Sequence, residues 1–220
     1  MKIAGFKKQS LVDFPGNISS VVFTQGCNFR CGYCHNPTLV LPEKFGNTFQ
    51  EDHILTYLSD YKNMLDAVCI TGGEPTIHRD LPAFIIKIKQ LGLKVKLDSN
   101  GTHPDMLQYL CENRFIDFIA MDIKHVLDFR LYYQTVGNWL NKNVFLNILK
   151  SIVVIKKSKI DVEFRTTVAK GLHSKEHIKS LKKQFGTRYK IQNYKPEIVL
   201  NSNIAFEPFS ESEYKELLCF

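Results

Sequence analysis

Three cysteines, Cys27, Cys31 and Cys34, stand with three and then two residues between them in the stretch QGCNFRCGYCHNP, residues 25–37. That spacing lets one short irregular loop turn three thiolates toward a common centre. A structural zinc ion takes four ligands in a closed tetrahedron, whereas an iron–sulfur cube held by three thiolates keeps one iron open for another ligand. His35 directly follows Cys34, and neighbouring side chains rarely reach one metal without strain, so the loop offers three ligands and no ready fourth. A zinc site and an accidental grouping stay open as alternatives, and the motif favours the three-thiolate cube.

Such a loop needs elements that hold it still. An extended arm, about residues 1–17, ends in the turn Phe14-Pro15-Gly16, and a buried strand over 18–24 runs from it straight into the cysteines. Thr48-x-x-Glu51 gives a capping-box start for a helix to about Tyr61. Further strands are predicted at 67–71, 93–98, 117–122, 161–168 and 189–194. Helices are predicted at 80–91, 104–113, around 144–152, 174–185 and 211–218. Six strands separated by helices make a parallel βα succession, while a closed barrel needs eight and roughly 250 residues. Periodicity leaves an open doubly wound sheet and an incomplete barrel as equal choices.

The unusual polar residues all fall at or past the C-terminal ends of these strands, the edge where parallel α/β folds bind ligands. Gly72-Gly73-Glu74-Pro75 follows the second strand and Asp98-Ser99-Asn100-Gly101 the third; Asp122 and Lys124 end the fourth, Arg165 lies in the fifth, and residues 192–195 end the sixth. Paired glycines let backbone approach a ligand closely, and Glu74 beside them can hold a cation. The plainer readings are a simple βα turn at GGEP, turn-stabilising side chains at Ser99 and Asn100, and a rim ion pair between Asp122 and Lys124. Arg165 must answer to an anion, because a guanidinium cannot shed its charge and is rarely buried unpaired. His35, His78 and His173 read as turn or surface residues rather than catalysts.

An apolar fraction of 44% with 23% charged residues is ordinary for a globular protein, and 220 residues suit one domain spanning 1–220. No stretch approaches the ~18 apolar residues of a membrane span, and the start MKIAGFKKQSLVDF has no apolar h-region, so a cytoplasmic location is expected. Six cysteines, three of them in one loop, do not resemble a disulfide framework; Cys69 and Cys111 read as small apolar core residues, and Cys219 has no assigned role. The formal charge of +7 comes from scattered lysines, with short runs at 156–159 and 182–183 near helix ends where the dipole favours them. Nucleic acid is therefore not the expected partner.

CNFRCGYC resembles the CxxxCxΦC loop of radical S-adenosylmethionine (SAM) enzymes, with Tyr33 at the aromatic position. The resemblance implies a partial (β/α)₆ TIM-type barrel, a [4Fe–4S] cluster on Cys27, Cys31 and Cys34, and SAM chelated to the open iron. One electron then cleaves the sulfonium to methionine and a 5′-deoxyadenosyl radical, a reaction the cofactor supplies and the protein orients. GGEP resembles the family's GGE motif, which places Gly72, Gly73 and Glu74 at the SAM amino group. LDSNG and MDIK resemble segments of glycyl-radical activating enzymes, which places Asp98, Ser99, Asn100, Asp122 and Lys124, with Arg165, around SAM. With SLVDFPG at residues 10–16, the likeness points to activators of anaerobic ribonucleoside-triphosphate reductase, with a glycyl radical enzyme as partner, a flavodoxin or ferredoxin as reductant, and no side-chain acid or base. Activators of pyruvate formate-lyase carry a histidine where this chain reads Gln192-Asn193-Tyr194-Lys195, so that role is not carried over. A formate-lyase-type partner and a small-substrate enzyme such as a 7-carboxy-7-deazaguanine synthase are the alternatives. Residues 38–47 are too few for the ferredoxin-like insertion that some activators carry, so one cluster is expected.

Overall fold

The computed structural model describes residues 1–197, 199–201 and 206–220. Its centre is one sheet of seven strands in the order in which the chain makes them: β1 (Ile3–Ser10), β2 (Ser19–Thr24), β3 (Ala67–Gly72), β4 (Lys94–Ser99), β5 (Phe118–Asp122), β6 (Asp161–Val168) and β7 (Tyr189–Asn193). β1 pairs antiparallel with β2, and every later neighbour is parallel. The order never reverses, so there is no switch point of the doubly wound kind, and β1 and β7 do not pair to close the sheet. The outcome is the incomplete barrel: six parallel strands with an antiparallel strand added at the open edge. That added strand is where an extended arm was expected.

The parallel strands read as apolar runs because both of their faces are covered. Val21 and Val22 of β2, Val68 and Ile70 of β3, and Ile119 and Met121 of β5 are all fully buried. Among the described residues eight α-helices follow the strand ends: α1 (Pro37–Val40), α2 (Glu51–Tyr61), α3 (Leu81–Gln90), α4 (Pro104–Glu112), α5 (Phe129–Val136), α6 (Lys142–Lys157), α7 (Lys175–Phe185) and α8 (Glu211–Leu218). On α3 the buried stripe is Leu81, Phe84, Ile85 and Ile88, and Gly92, at φ +83°, turns the chain beyond its end. Among the described residues no helix is long and apolar enough to cross a membrane.

Two helix starts differ from expectation. The α2 N-cap is Gln50, with no side-chain cap, rather than Thr48, and Glu51 instead pairs with the Met1 ammonium group. With Gln50 as N-cap, Glu51 stands at the first helical position rather than the third, where a capping box needs it. α5 was not foreseen, although Asp128 caps it by accepting a hydrogen bond from Leu131 N at 3.0 Å.

Candidate active site

The cysteine loop leaves the C-terminal end of β2 and is tied down by its neighbours on every side. Arg30 Nη1 donates to the carbonyls of Cys27 (2.7 Å) and Phe29 (2.8 Å), and its guanidinium lies over the Trp139 ring at 4.7 Å. Its backbone N–H donates to Val136 O, so the unforeseen α5 is one of the loop's supports. From the far end of the chain, Leu200 N donates to Cys34 O (2.9 Å) and Asn201 N to Gly32 O (3.1 Å). Cys31 is buried, and Cys27 and Cys34 are half-buried. Burial pushes the Cys27 thiol up to about 12, Cys31 up to about 11 and Cys34 upward, while the Lys124 ammonium works against that rise at all three. One cation thus faces the whole triad.

Across from the loop, the turns after β3 and β4 are bonded to each other. Glu74, 1% exposed, accepts from Thr76 N (3.1 Å), the Thr76 hydroxyl and Ser99 Oγ (2.8 Å) at Oε1, and from Asn100 N (2.6 Å) at Oε2. Burial pushes its carboxyl pKa up against these donors, and the acceptor capacity left over is on Oε2. Asn100 Nδ2 donates to Asn28 Oδ1 at 2.8 Å, and Asn28 Nδ2 to Thr102 Oγ1 at 2.7 Å, which joins the cysteine loop to this wall. The glycines are needed for the same junction. A Cβ on Gly73 would stand 1.9 Å from Gly26 O, and one on Gly72 would stand 2.4 Å from Thr24 N. Gly73 N donates to Thr24 O and Glu74 N to Gly26 O, so the close approach is to the residue before Cys27.

The third wall is ionic. Asp122 and Arg165 are register partners on β5 and β6. Arg165 Nε and Nη2 both reach Asp122 Oδ1 at 3.0 Å, and Nη2 reaches Asp98 Oδ2 at 3.3 Å. Lys124 Nζ stands 2.9 Å from Asp122 Oδ2, and Lys96 Nζ stands 2.6 Å from Asp98 Oδ1. Although burial opposes its ionisation, Asp122 is held down at about 2 by Arg165 and Lys124. Arg165 therefore answers to two carboxylates. The rim ion pair of Asp122 and Lys124 exists, and both partners face the same space as the cysteines.

That space is a cavity of about 200 Å³. The residues that the resemblance placed around the cluster and SAM line it: the three cysteines and Tyr33, Gly72 to Glu74, Asp98 to Asn100, Asp122, Lys124 and Arg165; Pro75, Gly101 and residues 192–195, from the same strand ends, do not. Thr71 and Thr167 line it too and were not foreseen, although Thr167 follows Arg165 by two on β6 and so shares its face. Lys96 was likewise missed; it precedes Asp98 by two on β4 and is 3% exposed. His173 is a correction, for it is no surface residue. It is 4% exposed, its Nδ1 accepts from Ala169 N, its Nε2 donates to Lys124 O at 3.1 Å, and its ring stacks on buried His125 at 4.8 Å.

Among the described residues, no group of three or more His, Cys, Asp and Glu side chains closes on a point that could hold one metal ion. Zinc requires that closure, whereas a cube gives each thiolate a different iron. Three thiols on one loop, a shared cavity and a facing ammonium are a donor set that fits a cube.

Residues 21–183 match the family model described as the radical SAM superfamily. The chain is 34% identical over 221 residues to the Methanocaldococcus jannaschii protein named "Putative glycyl-radical enzyme activating enzyme MJ1227", which covers 98% of the chain and 89% of that protein. It is 32% identical over 132 residues to the pyruvate formate-lyase-activating enzyme of Clostridium pasteurianum, covering 58% of the chain and 54% of that enzyme's length. Among solved structures, Streptococcus suis SuiB bound to S-adenosylmethionine shares the fold, with a TM-score of 0.63 at 18% identity over 90% of this chain and 47% of that one.

Proposed function

The chain belongs to the radical SAM superfamily, and from that membership we propose that it activates a glycyl radical enzyme, with anaerobic ribonucleoside-triphosphate reductase as the partner. The observation that carries the activating role is the match to the M. jannaschii protein along nearly the whole chain. SLVDFPG and LDSNG support the reductase as target. The likeness to a pyruvate formate-lyase activator favours a second reading, in which the partner is of the formate-lyase type.

A [4Fe–4S] cluster held by Cys27, Cys31 and Cys34 would supply the one-electron reduction of SAM on which removal of a hydrogen from a backbone glycine of the partner depends. The chain's own residues then do four things. Cys27, Cys31 and Cys34 hold the group. Glu74, fixed by its four donors, offers Oε2 to a cationic amino group. The Asp98–Arg165–Asp122–Lys124 chain of alternating charge meets the carboxylate and ribose ends of the ligand without having to reorganise. Tyr33, Cys31 and the Leu200–Asn201 segment over the loop keep water from the cluster side.

A flavodoxin or ferredoxin is the proposed reductant. We place the protein in the cytoplasm, since six free cysteines suit a reducing compartment. The deciding experiment is electron paramagnetic resonance of protein, SAM, a strong one-electron reductant and candidate partner mixed without oxygen. A glycyl doublet on the reductase supports the assignment. A doublet only on a formate-lyase-type partner, or on neither, overturns it.

A further inference from the structure

Among the described residues, two buried side-chain polar atoms have no hydrogen-bond partner, and one of them is the Tyr33 hydroxyl. Tyr33 is 4% exposed, lines the cavity, and sits between Cys31 and Cys34 in the loop. A phenylalanine would fill the same space, so the ring needs no explanation and the hydroxyl does. A buried hydroxyl that has given up water for nothing is costly enough that one at a binding site signals a partner not present in the protein alone.

The surroundings narrow what that partner is. Lys124, Cys31 and Asp122 line the same cavity as the hydroxyl. Lys124 Nζ, an ammonium, has no lone pair to offer, and the Asp122 carboxylate, which accepts from Lys124 and Arg165, receives nothing from the hydroxyl. Tyr132, the other phenol of this corner, has its oxygen engaged by Lys124 N at 3.0 Å. What remains is the group that the loop itself holds, because Tyr33 sits between Cys31 and Cys34, whereas Glu74, Ser99 and Asn100 belong to the opposite wall and bond to one another. Lys124 and Asp122 would meet SAM as well, so weakened SAM binding is the competing outcome.

We propose that the Tyr33 hydroxyl donates a hydrogen bond to a sulfur of the bound cluster on its Cys31 side and so raises the cluster's reduction potential. The inference rests on the proposed three-thiol cluster. Reduction adds negative charge to the sulfurs, a donor stabilises the reduced form more than the oxidised one, and the potential rises. Lys124, which faces all three thiols, acts in the same sense. Tyr33 is thus a positioning and tuning residue for the electron rather than an acid or base.

The test uses the full chain reconstituted without oxygen, as wild type and as Tyr33→Phe, with iron and sulfide content measured first. Wild type that holds no cluster would overturn the functional reading, and this inference with it. With equal content in both, the midpoint potential is titrated without SAM, and exchangeable protons near the reduced cluster are read by electron–nuclear double resonance in H₂O and D₂O. Tyr33→Phe is expected to shift the potential downward and to lose one exchangeable coupling. Unchanged potential and coupling overturn the proposal, as does unchanged potential with weakened SAM binding, which would assign the hydroxyl to SAM. Should Tyr33→Phe hold less cluster, the wild-type spectrum decides, because absence of an exchangeable coupling overturns the proposal. A fluorinated tyrosine at position 33, a stronger donor of the same shape, is expected to move the potential upward, which a purely structural role would not do.

Discussion

The two facing walls of the cavity are built in opposite ways. The turn wall, Glu74 with Ser99 and Asn100, satisfies itself: one carboxylate is fixed by four donors from its own and the next strand end. The loop wall presents three thiols, and a Tyr33 hydroxyl with nothing to bond, and takes its shape from Arg30 and Asn28 within it and from Leu200 beyond it. A preorganised wall binds a ligand without paying for reorganisation, whereas a wall of soft, deprotonatable groups is completed only by what it binds. The difference separates a surface that recognises SAM from one that holds the group reacting with it.

Breaking the loop wall gives the largest effect. Cys27→Ser, Cys31→Ser or Cys34→Ser is expected to abolish cluster content and SAM cleavage, while Cys69→Ser, Cys111→Ser and Cys219→Ser keep the iron; iron analysis and visible absorbance of protein prepared without oxygen decide between these. Next comes the seam between the walls. Gly73→Val drives a side chain into Gly26 O, so denaturant unfolding is expected to show a loss of about 3 kcal/mol, with SAM affinity falling alongside.

The ionic wall sharpens the comparison. Arg165→Met leaves Asp98 with Lys96 alone and Asp122 with Lys124 alone; with Asp122 partly open to solvent, a loss of at most about 3 kcal/mol is expected. Calorimetry should show weaker SAM binding at unchanged cluster content, and equal loss of both would merge the two walls into one unit.

Behind Lys124 lies a pH dependence whose full size is reached only at the acid end of its window, so that it is small near neutrality. Burial lowers His173 to about 4 from an ordinary 6.5, so the folded ring stays neutral while the unfolded ring takes up a proton. Its contribution is complete above pH 6.5 and is lost as pH falls from 6.5 toward 4, by up to ~3 kcal/mol. Thermal melts of wild type and His173→Asn across that window should converge as the pH drops, and parallel curves would exclude His173 as the cause.

The strands and the cavity residues were legible because each carries a local signal. Apolar runs give the strands, and polar residues just past them mark the binding edge. The antiparallel pairing of β1 was not legible, since whether an extended arm pairs depends on a free sheet edge elsewhere. Asn28 and Arg30 lie inside the quoted motif, yet their partners, Asn100 and Trp139, are distant in sequence, so their bracing role shows only in three dimensions. His173 looked like a turn residue because burial by His125 and the Lys124 carbonyl is likewise non-local. Gly73 carried a correct signal of close approach, but residue type alone cannot say that the approaching backbone is Gly26.

The most direct test of the central claim, a three-thiol cube with an open iron facing a preorganised SAM wall, is the paramagnetic resonance spectrum of the reduced cluster with and without SAM. Adding SAM is expected to change the spectrum, with release of methionine and 5′-deoxyadenosine following. A cluster whose spectrum SAM leaves unaltered, with no methionine released, would contradict it.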